Sequence, residues 1–448
     1  MSITEHAVAG SDPLERARQA HRGHDWAAAR HDYDLARDVA PLSADDLVAA
    51  ADSAWWLGDT DQTLTDYEAA YVRRVEDGQP AAAARVAMEI GYLCSLRGDA
   101  VGGSGWIARA GRLLSGRPEG VEHGCLVAVE INEALAASDY ERAIAVAQRV
   151  QDLATTYDDR PLHSAGLVGE GIALVKQGSV TEGLAVIDDA MTAVCAGEVE
   201  PRWAGGLYCQ VMALCHELAD PRRAREWTDA TERWCERFSS AAMFTGICRL
   251  HRSQLLQFDG DWAQAEREAG RVCDDLVDTN VAVVAEAQYQ LGEIRRQRCD
   301  LIGAEDSYRR AHELGRDRQP GLALLRLAEG RTTAAAASIR AALATERDRL
   351  ARALLRAAQA EIALADGQID LAWEASTELG QIAAAYASPG HAASARQLLG
   401  ATLLAQGQPT EALVELRAAE QAWRDLDAPW HVARVRHLSD GLTPRGVG

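Results

Sequence analysis

The chain of 448 residues carries 67 acidic and 46 basic residues, a formal net charge of −21, and it is 48% hydrophobic but only 5% aromatic. This balance argues against a free-standing nucleic-acid binder, which needs a basic face for phosphate contacts. Nine cysteines scattered among helical patterns do not make a disulfide framework. The N-terminus lacks a secretory pattern and no apolar run approaches a membrane span, so we expect a soluble, cytoplasmic protein.

In chain order, residues 1–11 are expected to be disordered, and a helical repeat follows from Asp12. In each repeat a helix ends, a Gly-Asp-like turn follows, and a second helix opens with Ala spaced four apart, as in "LGDTDQTLTDYEAAY" and "QGQPTEALVELRAA". The turns recur roughly every 40 residues by subtraction, at Gly58, Gly98, Ser138, Gly178, Asp220, Gly260, Asp300, Gly330, Gly367 and Gly407.

A two-helix period near 40 residues predicts an all-α fold: an α-solenoid of about eleven tetratricopeptide-like hairpins, wound into a right-handed superhelix over 12–438. Gly at the turn ends the first helix (helix A), and a following Asp or Ser caps the second (helix B). The short step before Gly330 predicts a crease near 315–330. A last helix is expected over 428–438, followed by a flexible tail over 439–448.

Small Ala residues are expected to let helices A and B approach closely. A large residue one turn after the Ala then fills the gap to the next repeat, at Tyr67, Trp106, Trp227, Tyr308 and Trp373.

Three short patterns invite a chemical interpretation, and packing explains each of them better. "GEGIALVK" places two Gly before Lys176, but a phosphate-binding loop needs a preceding strand, and this segment lies in the middle of a predicted helix. The Cys and His residues of "YCQVMALCHELAD" lack the close pairing of zinc ligands. Those of "ICRLHRSQLL" have no orienting group or oxyanion site nearby. We therefore expect no enzyme, no metal and no cofactor.

The tryptophans follow the repeat. Trp55 and Trp56 are adjacent at the end of an A helix, so one ring packs inward and the other is expected to line a groove. Four others recur at B-helix positions and are expected in the core: Trp26, Trp227, Trp262 and Trp373.

Polar residues in the middle of A helices are the candidate binding residues, because A helices usually line the concave surface of such superhelices. The candidates are Glu130, Glu133, Tyr208, Gln210, Arg252, Tyr289, Glu293 and Arg296. The stretch from Arg295 to Arg331 holds nine Arg and six acidic residues, so it is locally basic. The alternative interpretation of all these residues is a solvated helix face with ion pairs.

Several stretches resemble a known family, among them "DPLERARQAHRGHDWAAARHDYDLA", "SAWWLGDTDQTLTDYEAAY" and "REWTDATERWCERF". They are similar to the helical repeat region of large actinobacterial LuxR-type transcriptional regulators, and the resemblance runs from Asp12 to about Leu438. It implies a sensing or partner-binding region, which in that family precedes a helix-turn-helix domain opening with a stretch like "LTPRE". Here "GLTPRGVG" stands at that place, so the resemblance implies a region without its DNA-reading domain.

The leading hypothesis is a non-enzymatic scaffold whose concave groove binds a protein, peptide or small effector in transcriptional or signalling regulation. One alternative is a LuxR-type transcriptional regulator, truncated or acting with a DNA-binding partner. An enzyme with a pocket in the superhelix is the other alternative, and it lacks a nucleophile, metal or cofactor motif. We expect no direct nucleic-acid binding and no membrane binding by this chain, and the oligomeric state is left open, a homodimer included.

Overall fold

The computed structural model describes residues 12–238 and 240–440, and within them the regular elements are helices. Residues 1–11, predicted to be disordered, lie outside the described residues. So does the stretch "LTPR", which resembles the start of a DNA-binding domain. The helices are α1 (Pro13–Arg22), α2 (Trp26–Val39), α3 (Ala44–Trp56), α4 (Thr60–Glu76), α5 (Pro80–Leu96), α6 (Ala100–Leu114), α7 (Val121–Ala136), α8 (Tyr140–Thr156), α9 (Arg160–Gln177), α10 (Val180–Cys195), α11 (Pro201–Glu217), α12 (Pro221–Cys235), α13 (Ala242–Asp259), α14 (Trp262–Asp275), α15 (Val281–Gln297), α16 (Leu301–Glu313), α17 (Gly321–Ala328), α18 (Thr332–Thr345), α19 (Arg352–Ala365), α20 (Ile369–Ala385), α21 (Pro389–Ala405), α22 (Pro409–Asp425) and α23 (Pro429–Asp440).

These helices alternate as A (odd-numbered) and B (even-numbered), which makes eleven hairpins followed by α23. Short turns make the two helices of a hairpin antiparallel, and consecutive helices such as α5 and α6 or α21 and α22 pack along their lengths. Alternate A helices also touch, as α9 touches α11 and α19 touches α21. This is the stacking of an α-solenoid, so the predicted fold class is confirmed.

The chain forms two compact units, each described here by itself. The first contains residues up to Leu126, Glu232–Thr245 and Asp278–Val281. The second contains Val127–Thr231, Gly246–Val277 and the residues from Ala282 onward. Within the described part of the chain, no helix combines the length and the apolar character that a membrane crossing requires.

The turn between helices A and B repeats one local device. The residue before the B-helix cap has a left-handed backbone, and where it is Gly, as at Gly58 with φ 83°, no side chain is strained. At two of the predicted turns this residue is Ala219 or Cys299, and the predicted Asp220 and Asp300 come one position later. There Asp300 Oδ1 accepts a hydrogen bond from the Gly303 N–H at 3.0 Å and caps α16.

Glycine inside the helices allows close helix contact. A Cβ on Gly171 would lie 2.7 Å from the Gly183 carbonyl oxygen, and one on Gly169 would lie 2.7 Å from the Ile131 side chain. The two glycines of "GEGIALVK" are thus in the middle of α9, where they let α9 pack against α7 and α10. Their role is packing, as the missing strand had indicated.

The hairpin after α16 is short. Its A helix, α17, has only eight residues, and a cis Gln319–Pro320 peptide precedes it. This irregularity falls within 315–330, where the sequence predicts a crease.

Two expectations about tryptophan are wrong. Trp55 and Trp56 are both 2% exposed, because Trp234, Phe238 and Phe244 from the later part of the first unit pack on their rings. Neither ring therefore lines a groove.

Trp373 is 39% exposed instead of buried. The buried stripe of α20 runs through Ala372, Ala375, Ser376 and Leu379, and Trp373 lies at its edge. Three other B-helix tryptophans were expected in the core. Trp26 is 3% exposed and belongs to it, whereas Trp227 and Trp262 are half-buried.

Candidate functional site

All eight predicted binding residues lie on A helices of the second unit. Glu130 and Glu133 lie on α7, Tyr208 and Gln210 on α11, and Arg252 on α13. The remaining three, Tyr289, Glu293 and Arg296, lie on α15. The structure divides them into accessible side chains, one separately buried tyrosine and a buried network.

The exposed group consists of Glu133, Gln210 and Arg252. Glu130, three residues before Glu133, is half-buried. Glu130 Oε2 accepts a hydrogen bond from Arg142 Nη2 of α8 at 3.0 Å. Both side chains of this pair are nearly half exposed, so the pair contributes little to stability. These residues belong to three A helices and remain accessible to a partner molecule.

Tyr208 is not part of this accessible group. It is 2% exposed, its ring packs against Trp227, and its hydroxyl lies 3.5 Å from Cys195 Sγ. A partner on the surface has no access to this ring.

Glu293 is the centre of the buried network. Its Oε1 accepts a hydrogen bond from the Tyr308 hydroxyl at 2.6 Å, and its Oε2 accepts one from Arg296 Nη2, also at 2.6 Å. The side chains of Glu293 and Arg296 are only 16% and 15% exposed. Because the charge-assisted bonds occupy both carboxylate oxygens, the acid is compensated inside the protein.

Tyr289 extends the network to the start of α17. Its hydroxyl accepts a hydrogen bond from the Gly321 N–H at 3.1 Å, and the Arg316 guanidinium lies 4.4 Å from the centre of its ring. A Cβ on Gly321 would lie 2.5 Å from Glu293 Oε1, so only glycine lets α17 begin this close to the network.

The protonation states of Tyr289, Tyr308 and Arg296 are fixed near neutral pH. Burial is the main cause that raises the pKa of Tyr289 and of Tyr308 far above the ordinary value, and the charge of Glu293 raises both further. Burial alone would lower the pKa of Arg296, but Glu293 and Tyr308 outweigh it and raise that pKa. The neutral phenol of Tyr308 and the permanent cation of Arg296 each hold one carboxylate oxygen of Glu293, so the arrangement positions helices.

The sequence contains two signals for this network. Glu293 and Arg296 are three residues apart and so share a helix face. Tyr308 is the eighth residue of α16, the predicted gap-filling position, and it is fully buried as expected. Its hydrogen bond to Glu293 was not predicted, because the packing position does not specify where the hydroxyl points.

A cavity of about 310 Å³ lies beside Tyr308. Its walls are the outer face of α16 and the segment leading into α17, with Ile302, Glu305, Asp306, Tyr308, Arg309, Arg318 and Leu322. It is open to solvent, since Ile302 is 86% exposed.

The basic stretch from Arg295 to Arg331 is largely neutralised. Seven of its nine arginines form ion pairs with acidic residues, while Arg310 and Arg318 have none within the described ranges. The interpretation as a helix face with ion pairs therefore describes most of this stretch.

Two of the Cys/His patterns meet in the fold. His216 of α11 and His251 of α13 stack with ring centres 4.9 Å apart, and His251 Nδ1 lies 3.0 Å from Gln254 Oε1. Burial lowers the pKa of both imidazoles, that of His251 to about 4. Over residues 12–238 and 240–440, no group of three or more His, Cys, Asp or Glu side chains is placed to hold a metal ion.

No family model matches the sequence, and no curated protein matches it. Among solved structures, the yeast Tom70 structure is similar with a TM-score of 0.38 and 12% identity, covering 96% of this chain and 94% of that one. The Cut9–Hcn1 hetero-tetramer of the APC/C is similar with a TM-score of 0.37 and 11% identity, covering 94% and 95%. Similarity at this level carries no conclusion about function.

Proposed function

We propose that the chain is a non-enzymatic scaffold that binds a protein or peptide partner on the A-helix face of the second unit. The observation that supports this proposal is the accessible polar group Glu133, Gln210 and Arg252, which three A helices present. Accessible polar groups on several stacked helices suit the recognition of a protein or peptide.

Binding to peptides selected from a random display library tests this proposal. The selected peptides are measured by fluorescence anisotropy against the wild-type chain and against the triple variant Glu133→Arg, Gln210→Ala, Arg252→Glu. We expect the variant to lose about tenfold or more in affinity, because charge reversal places like charges against the ligand. The matched control is Glu182→Arg on the exposed face of the B helix α10, which we expect to bind as the wild type does.

Failure to enrich any peptide would contradict the proposal, and so would equal affinity for the wild type and the triple variant. Thermal unfolding of each variant shows whether a loss comes from misfolding, which we do not expect at exposed positions.

We further propose transcriptional regulation as the setting, with a small effector as the alternative ligand. The support is the sequence resemblance to the repeat region of LuxR-type regulators. Electrophoretic mobility of promoter DNA, with the chain alone and with a co-purified partner, tests this setting. A shift by neither would count against it.

A further inference from the structure

Lys176 is the single lysine of the chain, and it lies at the end of α9. Its Nζ lies 2.6 Å from Asp348 Oδ2, and it also donates to the carboxylate of Glu217 at the end of α11. Asp348 belongs to the segment between α18 and α19, 172 residues further along the chain. The side chains of Lys176 and Asp348 are 12% and 13% exposed, whereas that of Glu217 is 46% exposed.

A second set of contacts surrounds this cluster. The last carbonyl groups of a helix have no partner within it, and a distant part of the chain supplies the partners here. The Tyr386 hydroxyl donates to the Lys176 carbonyl oxygen at 2.8 Å, and the Gly390 N–H donates to that of Ala219 at 3.0 Å. His391 Nε2 lies 3.2 Å from the Glu217 carbonyl oxygen.

Ser388 shows that these contacts between distant parts of the chain are specific. It occupies the N-cap position of α21, where a serine hydroxyl usually accepts a bond from its own helix. Its hydroxyl makes no such bond and donates to the Leu218 carbonyl oxygen instead. Gly390 is equally constrained, because a Cβ there would lie 2.6 Å from the Ala219 carbonyl oxygen.

The choice of lysine in a chain that otherwise uses arginine has a physical reason. An ammonium group is a compact charge that fits between two carboxylates, whereas the planar guanidinium fork needs more room. Burial lowers the pKa of Lys176, but Glu217 and Asp348 outweigh it and raise that pKa far above the ordinary value. The amine therefore stays charged throughout the physiological range, and titration of Lys176 does not open the contact.

We propose that the ion pairs of Lys176 with Glu217 and Asp348, called the clasp below, hold the 346–351 segment and the α20–α21 turn against the ends of α9 and α11. Without the clasp, the hydrogen bonds from 386–391 to the carbonyl groups at the ends of α9 and α11 break. The individual hairpins stay folded, because each hairpin keeps its own A/B contacts. A buried ion pair often adds little net stability, so the role assigned to the clasp is to favour this one arrangement.

Because Lys176 is the single lysine of the chain, its acylation rate measures directly how readily the clasp opens. In the wild-type chain, an N-hydroxysuccinimide ester is expected to acylate Lys176 about tenfold or more slowly than the α-amino group, beyond what their basicities explain, because the clasp must open first. Asp348→Asn removes the buried carboxylate and should raise the Lys176 rate about tenfold beyond what the lower basicity of the amine explains, whereas Glu217→Gln removes the half-exposed carboxylate and should raise it less. Intact mass and peptide mapping report both sites.

Hydrogen exchange of the Lys176→Met chain tests the structural consequence. We expect exchange in 386–391 to rise about tenfold while the helices α8 and α9 keep their protection. Unchanged exchange in 386–391 would overturn the proposal, and so would a uniform rise throughout the unit, which would mark Lys176 as an ordinary core contact. If the Lys176→Met chain does not fold, the acylation rates of Lys176 in the wild type and in Asp348→Asn decide. Equal rates in the two chains would overturn the proposal.

Discussion

Two hairpins, α3–α4 in the first unit and α15–α16 in the second, hold a carboxylate against a B-helix tyrosine but place different basic residues beside it. The Tyr67 hydroxyl donates to Asp52 Oδ1 at 2.5 Å, and the Tyr308 hydroxyl donates to Glu293 Oε1 at 2.6 Å. In both hairpins the acid precedes the tyrosine by 15 residues. The repeat has therefore placed the same pair twice.

The basic residue beside the acid differs with the depth of the acid. His21 Nε2 lies 3.9 Å from Asp52 Oδ2, and both side chains are more than a quarter exposed, at 27% and 28%. Arg296 contacts Glu293 at 2.6 Å, and both are about 15% exposed. A carboxylate near water tolerates a titratable neighbour, whereas a more deeply buried one needs a permanent charge and a short hydrogen bond. The difference teaches that the repeat specifies the pair, and solvent access decides which basic residue suffices.

Loss of the permanent cation should have the largest effect. We expect Arg296→Met to destabilise the α15–α16 hairpin by about 3–5 kcal/mol, because it leaves the Glu293 carboxylate buried without a counter-charge. Native-state hydrogen exchange of the α15 amides measures this local free energy. The double variant Glu293→Gln, Arg296→Met is the control, and it should recover part of the loss. A loss below about 1 kcal/mol would show that water reaches Glu293 as readily as Asp52.

The two tyrosines provide a matched test of intermediate size. We expect Tyr308→Phe to cost about 1.5–3 kcal/mol and Tyr67→Phe about 1 kcal/mol or less, because a hydrogen bond to a buried charge is the stronger. Water is able to replace the lost hydroxyl at the more exposed Asp52. Exchange protection of the α16 and α4 amides gives the two values. Equal losses, or a larger loss at Tyr67, would contradict the role assigned to depth.

The smallest effect concerns pH. Burial lowers the pKa of His21, and the attraction of Asp52 offsets this only in part. Below the ordinary pKa of 6.5, the unfolded chain therefore binds a proton more tightly than the folded chain does. The stability that the neutral ring provides is complete above that pH and declines as the pH falls below it.

His21→Gln should remove this pH dependence while changing stability at pH 7.5 by no more than about 0.5 kcal/mol. Thermal unfolding at pH 7.5 and 5.5, compared with the wild type, measures the difference, since the other histidines contribute equally to both chains. A variant that loses as much stability on acidification as the wild type would show that His21 takes no part.

The candidate site was only partly predictable. Periodicity placed every candidate on an A helix, but Tyr208 is buried and Glu293 is engaged by Tyr308, a residue chosen from the sequence for packing alone. Arg316 and its contact with the Tyr289 ring were not predicted, because a flexible side chain in the segment between α16 and α17 has no periodic signal. The single lysine was a usable signal, since a chain that otherwise relies on arginine retains it at one position.

The sequence by itself determined the hairpins, their number and their turns, because left-handed turn residues and Asp caps act within a few neighbouring residues. It also determined the tight A/B contacts, since glycine and alanine at helical spacing decide how closely two helices approach. Only the tertiary structure decided which surfaces remain accessible. The ring of Trp56 is covered by Phe238, and the amine of Lys176 by Asp348, more than 170 residues away in each pair. Burial depends on segments that meet only after many hairpins have stacked, and no local pattern records that meeting.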